Sequence, residues 1–237
     1  MRLKHLYIIG LLALCGASCV GSHAAQISEP VYIRKQLGST SQDGSVLFLL
    51  HGYGSNERDL LGLTAMFPNS GDVVALRAPI ELRAGAYCWF PIQGHTNGST
   101  PDTMLYHLAG NQLQEWIDWI VVKENLVGKK IFIAGFSQGA MMCFEMARRK
   151  ANSFAGIIGF SGSAKALNHL SETSNCGADM LMTHGTADEV LTYASGQEAK
   201  TKLEKCGAQV EFFTFGGGHQ ITDEAAEKAR VWLKSRW

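Results

Sequence analysis

The 237 residues are 46% hydrophobic and 18% charged, proportions that exclude a disordered chain and a long coiled coil. Twenty-one basic residues balance 21 acidic ones, and no Lys/Arg block exceeds three residues, so no sequence-wide affinity for nucleic acid is expected. The length suits one α/β domain, because open parallel sheets commonly run past ~200 residues as a single core.

The chain starts with Arg2 and Lys4, continues through LYIIGLLALCGASCVG, and reaches Ser22-His23-Ala24. A basic start, an apolar core and a small-x-small site form the pattern of a secretory signal peptide. Residues 1–24 are therefore set apart from the fold, and 25–237 form the expected exported domain, periplasmic or secreted. As a stable membrane span the apolar run is short and is broken by Gly, Ser and Cys. A lipid anchor on Cys15 or Cys19 is the alternative, since LALC and GASC each resemble a lipoprotein signal. Leu14 is large for its place before Cys15, and Gly16 fits poorly three residues before Cys19.

The first strand expected in the domain is 46–50, followed by HGYGSNERDLLGL. Gly52 and Gly54 let the backbone approach a site, whereas a pyrophosphate turn would need the G-x-G-x-x-G spacing that GYGSNE lacks. His51 reads as structural, its ring tying this loop to a backbone group. A second strand is expected at 73–76 and then a long irregular segment at 77–101, containing three prolines. Loops of that length are usually functional or mobile, and in α/β sheets they lie at the carboxyl ends of strands. Trp89 and Phe90 in this segment, with Met104 and Leu191, are candidate walls of an acyl or alcohol pocket; plain packing is the alternative for each. Leu108, Leu113, Trp116, Ile117 and Ile120 then mark a helix from about 102 to 124.

KKIFIAGFSQGAMMCFEMARRK passes from a strand at 130–134 to helical spacing at Ser137. Gly135-Phe136-Ser137-Gln138-Gly139 has G-x-S-x-G spacing at that strand-to-helix turn. A serine there takes strained dihedrals, and a side chain two positions away on either side would crowd the turn. The hydroxyl stands exposed above the sheet, making Ser137 the candidate nucleophile if an acid and a base follow. Cys143 in the helix reads as a small buried side chain, and Cys88 as free.

Further strands are expected at 154–160, 180–183 and 210–215, and helices at 193–205 and 222–235. Strands alternating with helices imply a mostly parallel sheet with helices on both faces. If 180–183 and 210–215 are parallel neighbours, their starts share one sheet edge. Cys176 and Cys206, just before them, could then form a disulfide closing a loop of about 30 residues.

LMTHGTADEVLTY presents Asp188 after its strand, and FFTFGGGHQITDEAAEKA presents His219 after the last one. Serine, acid and histidine follow in the order of a G-x-S-x-G hydrolase. His219 would take the Ser137 proton and Asp188 would hold the imidazole. Glu189 is a longer acid next to apolar Val190, Asp223 already suits a helix N-terminus, and Asp179 starts its strand at the wrong end. His184 reads as a structural end to its strand. The oxyanion would be met by the backbone N–H of Gln138 and that of Tyr53.

HGYGSNERDLLGL, LRAPI, GAYCWF, GFSQGAMMCFEMA, HGTADEVLTYASGQEAKTKL and GGGHQI together resemble the α/β-hydrolase superfamily. The likeness is to its phospholipase/carboxylesterase group, which includes acyl-protein thioesterases, and it covers nearly all of 44–237. It implies a core without a large cap domain, no cofactor, and hydrolysis of small to medium carboxylic esters or thioesters. By that likeness Ser137, Asp188 and His219 form the triad, with Tyr53 and Gln138 at the oxyanion. Pro91 stands where family members often have Asp after the WF pair, and the elbow residue is Ser rather than the Cys of dienelactone hydrolases. The familiar thioesterases are cytosolic, so the export pattern favours a small-molecule or lipid-like ester over a palmitoylated protein. An exported peptidase or amidase with the same triad is the nearest alternative, and a non-catalytic binding protein on the same fold is the other. The eight histidines are dispersed and none forms H-E-x-x-H, so no metal site is expected.

Overall fold

The computed structural model describes residues 29–38, 44–66, 68, 70–92, 103–167 and 175–237. The proposed signal peptide, Cys15, Cys19 and the end of the 77–101 segment lie outside these residues. In chain order the strands and helices are β1 (Tyr32–Leu37), β2 (Ser45–Leu50), β3 (Gly71–Leu76), β4 (Ile80–Arg83), β5 (Ala86–Cys88) and α1 (Thr103–Lys123). They continue with β6 (Lys130–Phe136), α2 (Gln138–Arg149), β7 (Gly156–Phe160), β8 (Asp179–Gly185), α3 (Tyr193–Lys205), β9 (Gln209–Phe215) and α4 (Asp223–Lys234). A 3-10 helix, Asp59–Met66, lies between β2 and β3.

Seven strands form one sheet in the order β1-β3-β2-β6-β7-β8-β9. All neighbours are parallel except β1, which runs antiparallel to β3 at one edge. The central strands β2, β3 and β7 are buried at every position, as strands covered on both faces must be. Alternation sorts β2: Val46, Phe48 and Leu50 pack with α1, α2 and α3, whereas Leu47 and Leu49 pack with α4 and the 3-10 helix. This is the architecture of the α/β-hydrolases, and among the described residues no inserted cap domain is present.

β1, the β4–β5 hairpin and the 3-10 helix Asp59–Met66 went unread in the sequence. β1 is absent from the strand expectations because YIRKQL is polar and half-exposed. It is held by charge instead: buried Asp72 on β3 accepts from Arg34 Nε (2.9 Å) and Lys129 Nζ (2.8 Å), and Arg34 also pairs with Glu124 (2.6 Å). The segment expected to be irregular from 77 contains the hairpin β4–β5, whose first strand, IELR, is too short for its alternation to stand out and is exposed throughout. The strand expected from 154 begins instead at Gly156; Phe154 is in the core but ahead of the first ladder pair.

The β8–α3–β9 unit is closed by a disulfide between Cys176 and Cys206, with Cα atoms 5.2 Å apart. The backbone N–H of Cys176 also donates to the Cys206 carbonyl at 2.7 Å, so the two strand starts meet at the same sheet edge. Cys88 and Cys143 are free and buried, and burial pushes the Cys88 thiol up to about 11. Neither is a ready thiolate.

Candidate active site

β6 ends at Phe136 and α2 begins at Gln138, which leaves Ser137 to make the entire turn. Its φ of 54° lies in the left-handed region, an unfavourable place for a residue with a Cβ. The turn is held by the Ser137 N–H donating to the Phe160 carbonyl at 2.8 Å. The two glycines are sterically required: a Cβ at Gly135 would lie 2.3 Å from the Gly139 carbonyl carbon, and one at Gly139 would lie 2.1 Å from the Leu50 oxygen.

Ser137 Oγ is 2.9 Å from His219 Nε2, and His219 Nδ1 is 2.7 Å from Asp188 Oδ2. A carboxylate only accepts, so Nδ1 carries the ring hydrogen and Nε2 presents its lone pair to the serine hydroxyl. Asp188, only 5% exposed, has its other oxygen engaged by the N–H groups of Val190 (2.9 Å) and Leu191 (2.8 Å). The loops bearing acid and histidine are joined directly, the Ala187 N–H donating to the Gly217 carbonyl at 2.9 Å. The Phe136 ring packs 4.9 Å from that of His219 and supports its tilt. Glu189, the alternative acid, is exposed, and Asp223 lies in α4.

Gln138 opens α2, so its backbone N–H has no acceptor one turn earlier in the helix. Its buried side chain is a clamp: Oε1 accepts from the Trp89 N–H (2.8 Å) and Nε2 donates to the Phe90 carbonyl (2.7 Å). The Trp89 indole N–H donates to the His51 carbonyl (2.9 Å). His51 accepts at Nε2 from the Ala78 N–H (3.0 Å), so its Nδ1–H donates to the Gly52 carbonyl (2.7 Å). Burial holds its pKa below the ordinary value, consistent with the neutral form these bonds need. This relay fixes the Gly52–Tyr53 turn over the elbow, where a Cβ at Gly52 would come within 3.1 Å of the Phe136 ring. Behind it, Arg77 donates to both oxygens of Glu57 at 2.7 Å.

Ser137, Gln138, His219, Gly52 and Tyr53 all line one cleft of about 350 Å³. Of the four residues expected to wall a pocket, only Leu191 does so. Trp89 and Phe90 are in the core, turned to support the turn above, and Met104 is 66% exposed on α1. The apolar walls are instead Ile92, Phe136, Met141, Val190 and Leu191, and Asp59 and Ser55 add a polar side. Met141 was detectable in principle, because it follows Ser137 by one helical turn and faces the same way. Ile92 and Val190 carried no such signal. Among the described residues no three His, Cys, Asp or Glu side chains converge as a metal-ligand set.

A family model described as phospholipase/carboxylesterase matches residues 38–236. Mouse "Lysophospholipase-like protein 1" is 28% identical over 120 residues, 48% of this chain, and the match spans only half the length of that protein. "Acyl-protein thioesterase 1 homolog 1" of Dictyostelium discoideum is 25% identical over 205 residues, covering 81% of this chain and 89% of that protein. The crystal structure of a Bacillus cereus carboxylesterase superposes with a TM-score of 0.78 at 24% identity, covering 89% of this chain and 96% of that one, a likeness of fold.

Proposed function

The chain belongs to the phospholipase/carboxylesterase family of α/β-hydrolases, and from that premise we propose that it cleaves small to medium carboxylic esters or thioesters with a Ser137–His219–Asp188 triad. The observation that carries this reading is the imidazole held between serine and carboxylate, at 2.9 and 2.7 Å. Ser137 Oγ attacks the carbonyl carbon and gives its proton to His219 Nε2. The charge on the carbonyl oxygen is received by the N–H groups of Tyr53 and Gln138. The bond to the leaving oxygen or sulfur then breaks, and the leaving group takes the proton from His219. Water attacks the acyl-serine, again losing its proton to His219, and collapse releases the acid and restores Ser137. Asp188 supports the imidazolium formed in each half and holds the required tautomer.

The apolar walls of Ile92, Met141, Val190 and Leu191 suit a hydrocarbon chain, and the modest volume favours short and medium lengths. A p-nitrophenyl ester series from acetate to palmitate tests both points. We expect turnover highest among the shorter esters and abolished in Ser137→Ala. A folded wild-type protein inert across the series would sink this reading.

We also propose that the domain works outside the cytoplasm after loss of residues 1–24. Support comes from the tripartite start of the sequence and from the Cys176–Cys206 bond, which suits an oxidising compartment. N-terminal sequencing of the protein from fractionated bacterial cells should begin at Ala25 in the periplasm or medium. Retention of Met1 in the cytosol would refute export.

A further inference from the structure

Asp188 has a second imidazole beside it. His184, at the end of β8, is completely buried, and its Nε2 lies 2.7 Å from the Leu191 carbonyl and 3.4 Å from Asp188 Oδ2. A carbonyl only accepts, so Nε2 bears the hydrogen. The longer contact is an electrostatic support rather than a full hydrogen bond. Leu191 is thus bonded at both ends: its N–H donates to Asp188 Oδ1, and its C=O accepts from His184.

The rest of the ring is equally constrained. Nδ1 has no hydrogen-bond partner among the described residues and faces Gly196 of α3, where an added Cβ would lie 2.5 Å away. The Tyr193 ring stands edge-on at 6.3 Å. Burial keeps the imidazole's pKa below its usual value, although the bond to the Leu191 carbonyl and then Asp188 oppose that, which favours the neutral donor form. A buried polar atom left without a partner is costly. A plain apolar side chain would fill this site without that cost, so the ring's value must lie in the N–H it directs at the acid loop.

We propose that His184 is the positioning residue of the triad acid: its Nε2–H anchors the Asp188–Leu191 loop from below and holds Oδ2 against His219. Asp188 lies in the β8–α3 connection, 186–192, which has neither strand nor helix to stiffen it. With Oδ1 bound to two N–H groups, the carboxylate can still pivot about that oxygen. His184 blocks the pivot by fixing the Leu191 carbonyl and presenting a donor edge to Oδ2. The same peptide carries the Leu191 side chain on the cleft wall, so the anchor also sets one side of the pocket. This proposal rests on the Ser137–His219–Asp188 reading above.

The test uses the mature protein with its active serines counted by the p-nitrophenol burst, so that misfolded molecules drop out of the rate. In His184→Phe we expect kcat per counted serine to fall about tenfold, with KM within about twofold. His184→Gln, whose amide N–H reaches the Nε2 position, should recover most of that loss. Gly196→Ala should lower kcat in the same way by displacing the ring, even though Ala is the better helix former. It provides the reading if the Phe variant does not accumulate. Wild-type kcat per serine in His184→Phe or, failing that protein, in Gly196→Ala would overturn the proposal, as would a Gln variant no better than Phe. Absence of turnover in the wild type would instead refute the triad reading itself.

Discussion

At the scale of single residues, the site is built from side chains whose alternatives are sterically or electrostatically closed. Gly139 has no room for a Cβ, because its neighbour there is the backbone oxygen of Leu50 at 2.1 Å and backbone cannot step aside. Gly139→Ala should therefore cost at least about 3 kcal/mol in urea unfolding, against about 1 kcal/mol for a typical substitution. A loss below that figure would mean the elbow can relax. Asp188 and Glu189 stand side by side, yet only Asp188 is buried and bonded to the imidazole. Asp188→Asn should lower kcat by roughly 10⁴, since the amide no longer enforces the tautomer. Glu189→Gln should leave kcat unchanged. Equal losses in the two variants would refute the choice of acid.

Secondary-structure elements carry the second layer of constraint. The Cys176–Cys206 bond, with a sequence separation of 30, encloses β8, the acid loop and α3. On loop entropy alone it should contribute about 3–4 kcal/mol. A Cys176→Ala/Cys206→Ala double variant should lose that stability in denaturant titration. Its kcat at 25 °C should nonetheless stay near wild type, because the bond is at the opposite end of β8 from Asp188. Loss of kcat in the folded double variant would show that the edge clamp is felt at the acid. α2 and α1 are joined by a buried ionic knot: Glu145 accepts from Arg148 and Arg149, both at 2.6 Å, and lies 3.2 Å from His107.

For the whole molecule, the response to acid follows from the two buried histidines. His51 and His184 both have pKa values held below the ordinary 6.5 by desolvation. The unfolded chain therefore takes up protons near pH 6.5 that the folded state refuses. The stability this gives is full above that pH and is lost as the pH falls through the lowered folded values. Glu57 and Glu124, lowered mainly by bonds to Arg77 and Tyr32 respectively, add a loss in the same direction below their usual 4.5. Calorimetry should find the melting temperature falling between pH 7 and pH 5, before most carboxylates titrate. A flat profile there would contradict the buried neutral imidazoles.

The sequence by itself determined the parallel core and singled out Ser137, Asp188 and His219, which the structure brings into hydrogen-bond contact. Continuous Val, Ile, Leu and Phe runs need burial on both faces, and Gly135 obeys a clash with Gly139 inside the turn itself, whereas Gly139 also answers to the Leu50 oxygen on β2. Asp188 and His219 were legible because each follows a strand whose carboxyl end must open on the same crevice. Tertiary structure alone decided the cleft walls. Trp89 and Phe90 are large and sit in the loop segment expected to shape the site, but the Gln138 clamp turns them into the core. Ile92 and Val190 become walls through the paths of their loops, which no periodic pattern encodes. It also decided β1 and the contacts of His184, because an ion pair 38 residues apart and a ring bonded to a later carbonyl exist only once the chain has closed. Local sterics and burial are written in sequence neighbours; the direction of a side chain toward a distant partner is not.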